Sequence, residues 1–155
     1  MEAKHENDAN FICGSGLQAN NISMKIRIVV ADDNERMLAA LISTLSLDFE
    51  VVGTAMDGRS ALERIESLRP AVAVLDLNMP ELNGIEVTKA MMRKNITSSA
   101  VICSVESELE LIQAAQRAGA LGYVLKPLLH KDLVHAVKLA SCGERFVSSM
   151  VPLEV

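Results

Sequence analysis

Short apolar runs alternate along the chain with longer segments in which apolar residues recur every three or four positions. The runs are rich in β-branched residues, which is typical of strands. They cover residues 26–31, 50–54, 71–75, 100–103 and 122–125. Three of the runs are almost entirely apolar, which indicates strands that are covered on both faces of a sheet.

The segments that follow these runs show the spacing of helices with one buried face. After the first two runs the pattern is formed by Met37, Leu38, Leu41, Leu45, Ala61, Leu62, Ile65 and Leu68. Parallel strands joined by right-handed helical crossovers have few arrangements at this length. We therefore predict an α/β, flavodoxin-like fold: a doubly wound five-stranded parallel sheet in the order 2-1-3-4-5 with five helices.

The same pattern predicts the domain boundaries. Residues 1–23 are polar and show no periodicity, so they are predicted to be a flexible N-terminal extension. The α/β domain is predicted over residues 24–147. Residues 148–155 are predicted to be a C-terminal tail, since they are too few to form a second hydrophobic core.

Composition and charge exclude several classes of protein. The net charge of −5 argues against direct nucleic-acid binding by this chain, which would need clustered basic residues. No apolar stretch approaches the roughly 18 residues of a membrane span, and residues 1–23 lack a secretory signal. Cys13, Cys103 and Cys142 lie far apart, which indicates neither a disulfide framework nor a zinc site. We expect a cytoplasmic protein without membrane contact.

Polar residues follow the strand candidates at the edge where open α/β sheets bind ligands. Asp32 and Asp33 follow the first strand, Asp76 the third, Ser104 the fourth and Lys126 the fifth. Three crowded carboxylates repel one another unless a cation lies among them, and oxygen ligands suit Mg²⁺. The ammonium and hydroxyl groups can bind phosphoryl oxygens. The residues therefore predict a Mg²⁺ site that receives phosphate.

These residues lie in motifs that resemble the receiver domain of two-component response regulators, over residues 25 to about 147. The similar motifs are VVADDN, LDLNMPELNG, AVICS and GYVLKP. The resemblance implies that Asp76 is the phosphoacceptor and that Lys126 and Ser104 bind the phosphoryl group. It also implies a cis peptide bond between Lys126 and Pro127.

By the same resemblance, Mg²⁺ is held by Asp32, Asp33, Asp76 and the backbone carbonyl of Asn78. Ser104 and Tyr123 are then the switch residues, and their movement changes the surface formed by helix 4, strand 5 and helix 5. The implied function is a signalling switch that accepts a phosphoryl group from a histidine kinase or phosphotransfer protein. It catalyses its own phosphorylation and dephosphorylation, and is not an enzyme acting on external substrates.

The segment LVHAVKLASCGERFVSS resembles the end of receivers of the LuxR/NarL group, which a DNA-binding domain follows. The sequence leaves open whether this chain is a stand-alone receiver or part of a DNA-binding regulator. Formation of a homodimer on phosphorylation is also left open.

Two other functions are alternatives to the signalling hypothesis. A Mg²⁺-dependent phosphatase also uses an aspartyl nucleophile, but commonly has a second acid two positions later, where this chain has Asn78. The other is an interaction domain without phosphorylation, which the full set of site residues disfavours. Taken alone, Asp32 and Asp33 would be read as helix-capping residues and Asp76 as part of a loop.

Overall fold

The computed structural model describes residues 24–149, which form a six-stranded parallel sheet flanked by helices. The strands are β1 (Ile26–Ala31), β2 (Phe49–Ala55), β3 (Val72–Asp76), β4 (Ser99–Ser104), β5 (Gly122–Leu125) and β6 (Phe146–Val147). The helices are α1 (Glu35–Leu45), α2 (Gly58–Leu68), α3 (Gly84–Arg93), α4 (Leu109–Ala118) and α5 (Leu129–Ser141). A short 3₁₀ helix, Lys126–Leu128, joins β5 to α5.

The sheet has the order β2-β1-β3-β4-β5-β6, which confirms the predicted fold and the order of its first five strands. The sixth strand was not predicted. It has two residues, which are too few to show a period. It pairs in parallel with β5, with Phe146 opposite Gly122 and Val147 opposite Tyr123. The predicted extension and all but two residues of the predicted tail lie outside the described residues.

The core lies in two layers because every residue of the central strand β3 is buried. Val72 and Val74 face one layer, and Ala73 and Leu75 face the other. Helices α1 and α5 cover the first layer with Leu41, Leu45, Leu133 and Val137. Helices α2, α3 and α4 cover the second with Ile65, Val87, Met91 and Ile112. The two-sided cover explains why the strand sequences are continuous apolar runs.

One detail of the chain differs from expectation. None of the described peptide bonds is cis, so the expected cis bond at Lys126–Pro127 is absent. Pro127 instead lies in the first turn of the 3₁₀ helix, where the missing backbone N–H leaves no hydrogen bond unmade. Cys103 is a buried free thiol.

Among residues 24–149, no helix has both the length and the apolar character that crossing a bilayer requires.

Candidate functional site

The predicted site residues meet at the carboxyl ends of four neighbouring strands. Asp32 follows β1, and Lys126 follows β5. Asp76 is the last residue of β3, and Ser104 is the last residue of β4. Because all strands are parallel, these ends lie at one edge of the sheet, close to the point where the order of the strands reverses between β1 and β3.

Three carboxylates form a cluster at this edge. Asp32, Asp33 and Asp76 each offer one oxygen, and the three oxygens lie within 4.8 Å of one another. Asp32 is fully buried, Asp76 is 5% exposed, and Asp33 is exposed. Like charges at this spacing destabilise one another, so the cluster favours a bound cation.

Lys126 supplies one cation to the cluster. Its ammonium Nζ lies 3.0 Å from Oδ2 of Asp32 and 2.9 Å from Oδ1 of Asp76, with the lysine side chain only 15% exposed. The other oxygen of Asp32 accepts the backbone N–H of Asn34 at 2.8 Å. Burial lowers the pKa of Lys126, but the hydrogen bonds to Asp76 and Asp32 outweigh this effect and leave it raised. The lysine is therefore charged at neutral pH.

Opposing effects act on the pKa of the Asp76 carboxyl group. Burial raises its pKa above the ordinary value, and the negative charge of Asp32 acts in the same direction. The hydrogen bond from Lys126 opposes both effects without cancelling them. The Asp76 carboxylate is thus incompletely neutralised, and further positive charge at the site would stabilise it.

The predicted switch residues, Ser104 and Tyr123, are linked through the backbone of Glu106. The Glu106 N–H donates to Oγ of Ser104 at 2.9 Å, and the Tyr123 hydroxyl donates to the Glu106 carbonyl at 2.8 Å. Ser104 and Tyr123 are each 1% exposed. Burial raises the pKa of the Tyr123 hydroxyl. The tyrosine ring is therefore already inside the molecule, and its predicted movement on phosphorylation stays a prediction.

The start of α3 packs against the backbone of Asp76. The Gly84 N–H donates to the Leu77 carbonyl at 2.9 Å. A Cβ atom at position 84 would lie 2.6 Å from the carbonyl oxygen of Asp76, which is closer than any side chain permits. Gly84 therefore allows the helix to support the loop that carries the candidate phosphoacceptor.

The structure brings together four of the predicted residues directly: Asp32, Asp33, Asp76 and Lys126. Asn78 is exposed two residues beyond Asp76, and its role as a metal ligand stays a prediction. Sequence reasoning did not identify the bridging role of Glu106. That role belongs to its backbone N–H and carbonyl groups, so no side-chain pattern signals it.

Comparisons with known proteins show the family to which the chain belongs. The family described as response regulator receiver domain matches residues 28–138. The nitrate/nitrite response regulator protein NarL of Escherichia coli strain K12 is 35% identical over 123 residues, covering 78% of this chain and 57% of NarL. The chain thus spans little more than half the length of that relative.

Solved structures show the same likeness. The signal receiver domain of the response regulator NarL from Mycobacterium tuberculosis has a TM-score of 0.76 and 33% identity, covering 79% of this chain and all of that chain. A receiver domain of DrrB, described as BeF3-activated, has a TM-score of 0.66 and 27% identity, covering 74% of this chain and 96% of that chain. The resemblance predicted from the sequence motifs is confirmed: the chain belongs to the response regulator receiver domains of two-component systems, of the NarL/LuxR type.

Proposed function

We propose that the chain is a phosphorylation-dependent switch whose Asp76 accepts a phosphoryl group from a histidine kinase or phosphotransfer protein. The observation that carries the proposal is the position of the Lys126 ammonium, 2.9 Å from Asp76 and 3.0 Å from Asp32, beside a cluster of three carboxylates. A nucleophilic carboxylate and a fixed cation are the groups that phosphoryl transfer needs.

The donor set fits Mg²⁺. The three clustered groups are hard oxygen ligands, and Asp33 is exposed, which leaves room for the waters that this ion retains. Asp32, Asp33, Asp76 and the backbone carbonyl of Asn78 would hold the ion. When bound, Mg²⁺ supplies positive charge that neutralises the oxygens of the transferred phosphoryl group.

In the proposed reaction, a carboxylate oxygen of Asp76 attacks the phosphorus atom of a phosphohistidine in the partner. The P–N bond breaks as the new P–O bond forms, so the imidazole leaves and Asp76 becomes an acyl phosphate. The Lys126 ammonium and the Ser104 hydroxyl meet the phosphoryl oxygens as charge develops on them. Catalysis is therefore positioning and charge stabilisation, so a small phosphodonor also serves, though slowly.

Signal output follows from the links around Ser104. If Ser104 turns toward the phosphoryl group, its hydroxyl oxygen releases the Glu106 N–H. The carbonyl of the same residue accepts the Tyr123 hydroxyl, so the release also affects the tyrosine. A change at Ser104 therefore reaches α4, β5 and α5, and that surface is where a partner reads the phosphorylated state. Formation of a homodimer through it belongs to the same proposal.

The relatives suggest a larger setting. NarL is named a response regulator, and this chain covers 57% of its length. We propose that this receiver serves as the regulatory part of a DNA-binding transcription regulator, in which another domain contacts the DNA. Its negative net charge of −5 agrees with a role that leaves the nucleic acid to another domain.

The proposal is tested by incubating the protein with acetyl phosphate and Mg²⁺ and measuring its intact mass. We expect a gain of one phosphoryl group per chain, absent from Asp76→Asn. The matched control is Asp48→Asn, which changes an exposed aspartate outside the site and should be phosphorylated normally.

Two outcomes would contradict the proposal. Rapid consumption of acetyl phosphate over many turnovers, without accumulation of modified protein, would favour the phosphatase. Absence of any mass gain in the unmodified protein would favour an interaction domain without phosphorylation.

A further inference from the structure

Ser148 joins the edge of the sheet to a helix. Its backbone N–H donates to the Tyr123 carbonyl at 3.0 Å, and its hydroxyl oxygen accepts the backbone N–H of Leu125 at 3.0 Å. The same hydroxyl donates to Oδ2 of Asp132, in α5, at 2.7 Å. Ser148 is 1% exposed, so water does not compete for these bonds. A single residue beyond β6 is thus fixed to both β5 and α5.

Asp132 is a buried acidic residue that the proposed phosphotransfer does not use. The residue is 4% exposed, and its second carboxylate oxygen accepts a hydrogen bond from Nζ of Lys131 at 3.2 Å. A buried carboxylate requires such partners, because an unpaired one is strongly destabilising. Since the single hydroxyl proton of Ser148 points to Asp132, its oxygen is left oriented to accept the Leu125 N–H.

The first route from this pair of residues to the candidate site runs through Lys126. Leu125 immediately precedes Lys126 in the chain, and its N–H is the group that Ser148 holds. The Lys126 side chain then reaches Asp32 and Asp76. A shift of the Leu125 peptide would move the lysine backbone, and an ammonium held at 2.9 Å tolerates little displacement.

The second route runs through the switch residues. The Tyr123 carbonyl accepts the Ser148 N–H, while the Tyr123 hydroxyl donates to the Glu106 carbonyl. The Glu106 N–H in turn holds Ser104. Two separate sets of contacts from the phosphoacceptor region therefore end on Ser148.

We propose that Ser148 and Asp132 form a latch that positions Lys126 and couples phosphorylation of Asp76 to the attachment of β6. They are positioning residues, since neither touches the reacting atoms. The inference rests on the proposed function, because it assigns a regulation to that same site. Binding at the site and closure of the latch strengthen each other, and this linkage is reciprocal.

The test uses beryllofluoride with Mg²⁺ as the phosphoryl mimic and measures its affinity and the hydrogen exchange of backbone amides. In the unmodified protein, we expect beryllofluoride to increase protection of the Leu125 and Ser148 amides. Ser148→Ala should weaken beryllofluoride binding about fivefold or more, the lower range of typical coupling between sites. Asp132→Asn is the milder variant, and we expect a smaller change in the same direction.

The matched control is Ser141→Ala. The Ser141 hydroxyl also lies in α5, but it donates within the helix to the Lys138 carbonyl at 2.7 Å and makes no bond to β5. This variant should bind beryllofluoride as the unmodified protein does. A merely structural role for Ser148 would lower the melting temperature and leave the affinity of the folded protein unchanged.

The latch is refuted if beryllofluoride leaves the exchange of the Leu125 and Ser148 amides unchanged, or if folded Ser148→Ala binds beryllofluoride with the unmodified affinity. The hydrogen-exchange arm needs no variant, so it decides the matter even where Ser148→Ala does not fold. Failure of the unmodified protein to bind beryllofluoride at all is a different result, and it would overturn the proposed function itself.

Discussion

Lys126 is the residue on which the electrostatics of the site depend. Its ammonium lies between two buried carboxylates, and burial already raises the pKa of one of them, Asp76. Removing the ammonium leaves Asp32 and Asp76 without their cation, although both side chains are almost fully buried. Removing one partner of a buried ion pair destabilises a protein more than removing one partner of an exposed pair, because solvent cannot compensate for the missing charge.

We therefore predict that Lys126→Ala lowers the initial rate of phosphorylation by acetyl phosphate about 100-fold, the order found when one charge-stabilising donor is removed. Mg²⁺ binding should be retained, because the three carboxylates remain. The rate is measured by intact mass at short times. Lys94→Ala is the control, since it removes an exposed lysine paired with Glu66. A normal rate in Lys126→Ala would show that the amine has no part in the transfer.

The residues of the site were predictable where their chemistry is carried by a side chain at a strand end. Asp32, Asp76 and Lys126 have this property, and the structure brings them together. Two features of the site could not be predicted from the sequence. The bridge at Glu106 is made by backbone groups, and the depth of Tyr123 depends on helices packed from elsewhere in the chain.

At the scale of elements, helix caps hold the loops that surround the site. Asn34 caps α1, Asp57 caps α2, and Asn83 caps α3 in a reciprocal capping box with Glu86. Each cap satisfies a backbone N–H that would otherwise lack a partner in the first turn. The caps therefore fix where three helices begin, next to the strand ends that carry the site.

Asp57→Ala should lower the free energy of unfolding by about 1 kcal/mol, the usual effect of removing a helix cap. Oδ1 of Asp57 accepts the Ser60 N–H at 2.7 Å, and this bond lowers the pKa of the carboxyl group. A lowered folded-state pKa means that the charge stabilises the fold above the ordinary value of 3.8. The unmodified protein and Asp57→Ala should therefore differ less in free energy of unfolding as the pH falls below that value.

Urea unfolding at several pH values measures this effect. Glu63→Ala, an exposed substitution in the same helix, is the control and should change stability little at any pH. An unchanged stability of Asp57→Ala at neutral pH would mean that the cap contributes nothing to α2.

The elements themselves were predicted to different degrees. The five long strands lie within one residue of their predicted ends, because an apolar run stops where the strand leaves the core. Strand β6 could not be found in this way. Its two residues are only partly buried, and the contacts of Ser148 fix its place beside β5.

At the scale of the whole molecule, parallel topology creates the site from distant parts of the chain. Residues 32, 76, 104 and 126 meet because every strand ends at the same edge of the sheet. The fold was predictable since the alternation of strands and helices leaves few topologies. The repulsion within the acidic cluster is therefore a property of the folded state, and a ligand that relieves it must stabilise that state.

Mg²⁺ should accordingly stabilise the protein against unfolding. At a Mg²⁺ concentration ten times the dissociation constant, we expect about 1.4 kcal/mol of added stability and a higher melting temperature. Asp33→Asn should lose most of this gain, because it removes the exposed carboxylate of the cluster without disturbing the core. Asp48→Asn should keep it. If Mg²⁺ stabilised Asp33→Asn and Asp48→Asn equally, the ion would not bind at the carboxylate cluster.

The central claim is that the acyl phosphate forms on residue 76. The most direct test is to phosphorylate the protein with acetyl phosphate and Mg²⁺, reduce the acyl phosphate with borohydride, and sequence the peptides by mass spectrometry. We predict homoserine in place of aspartate at position 76 and at no other acidic residue of the cluster. Homoserine at position 32 or 33, with position 76 unmodified, would contradict the account.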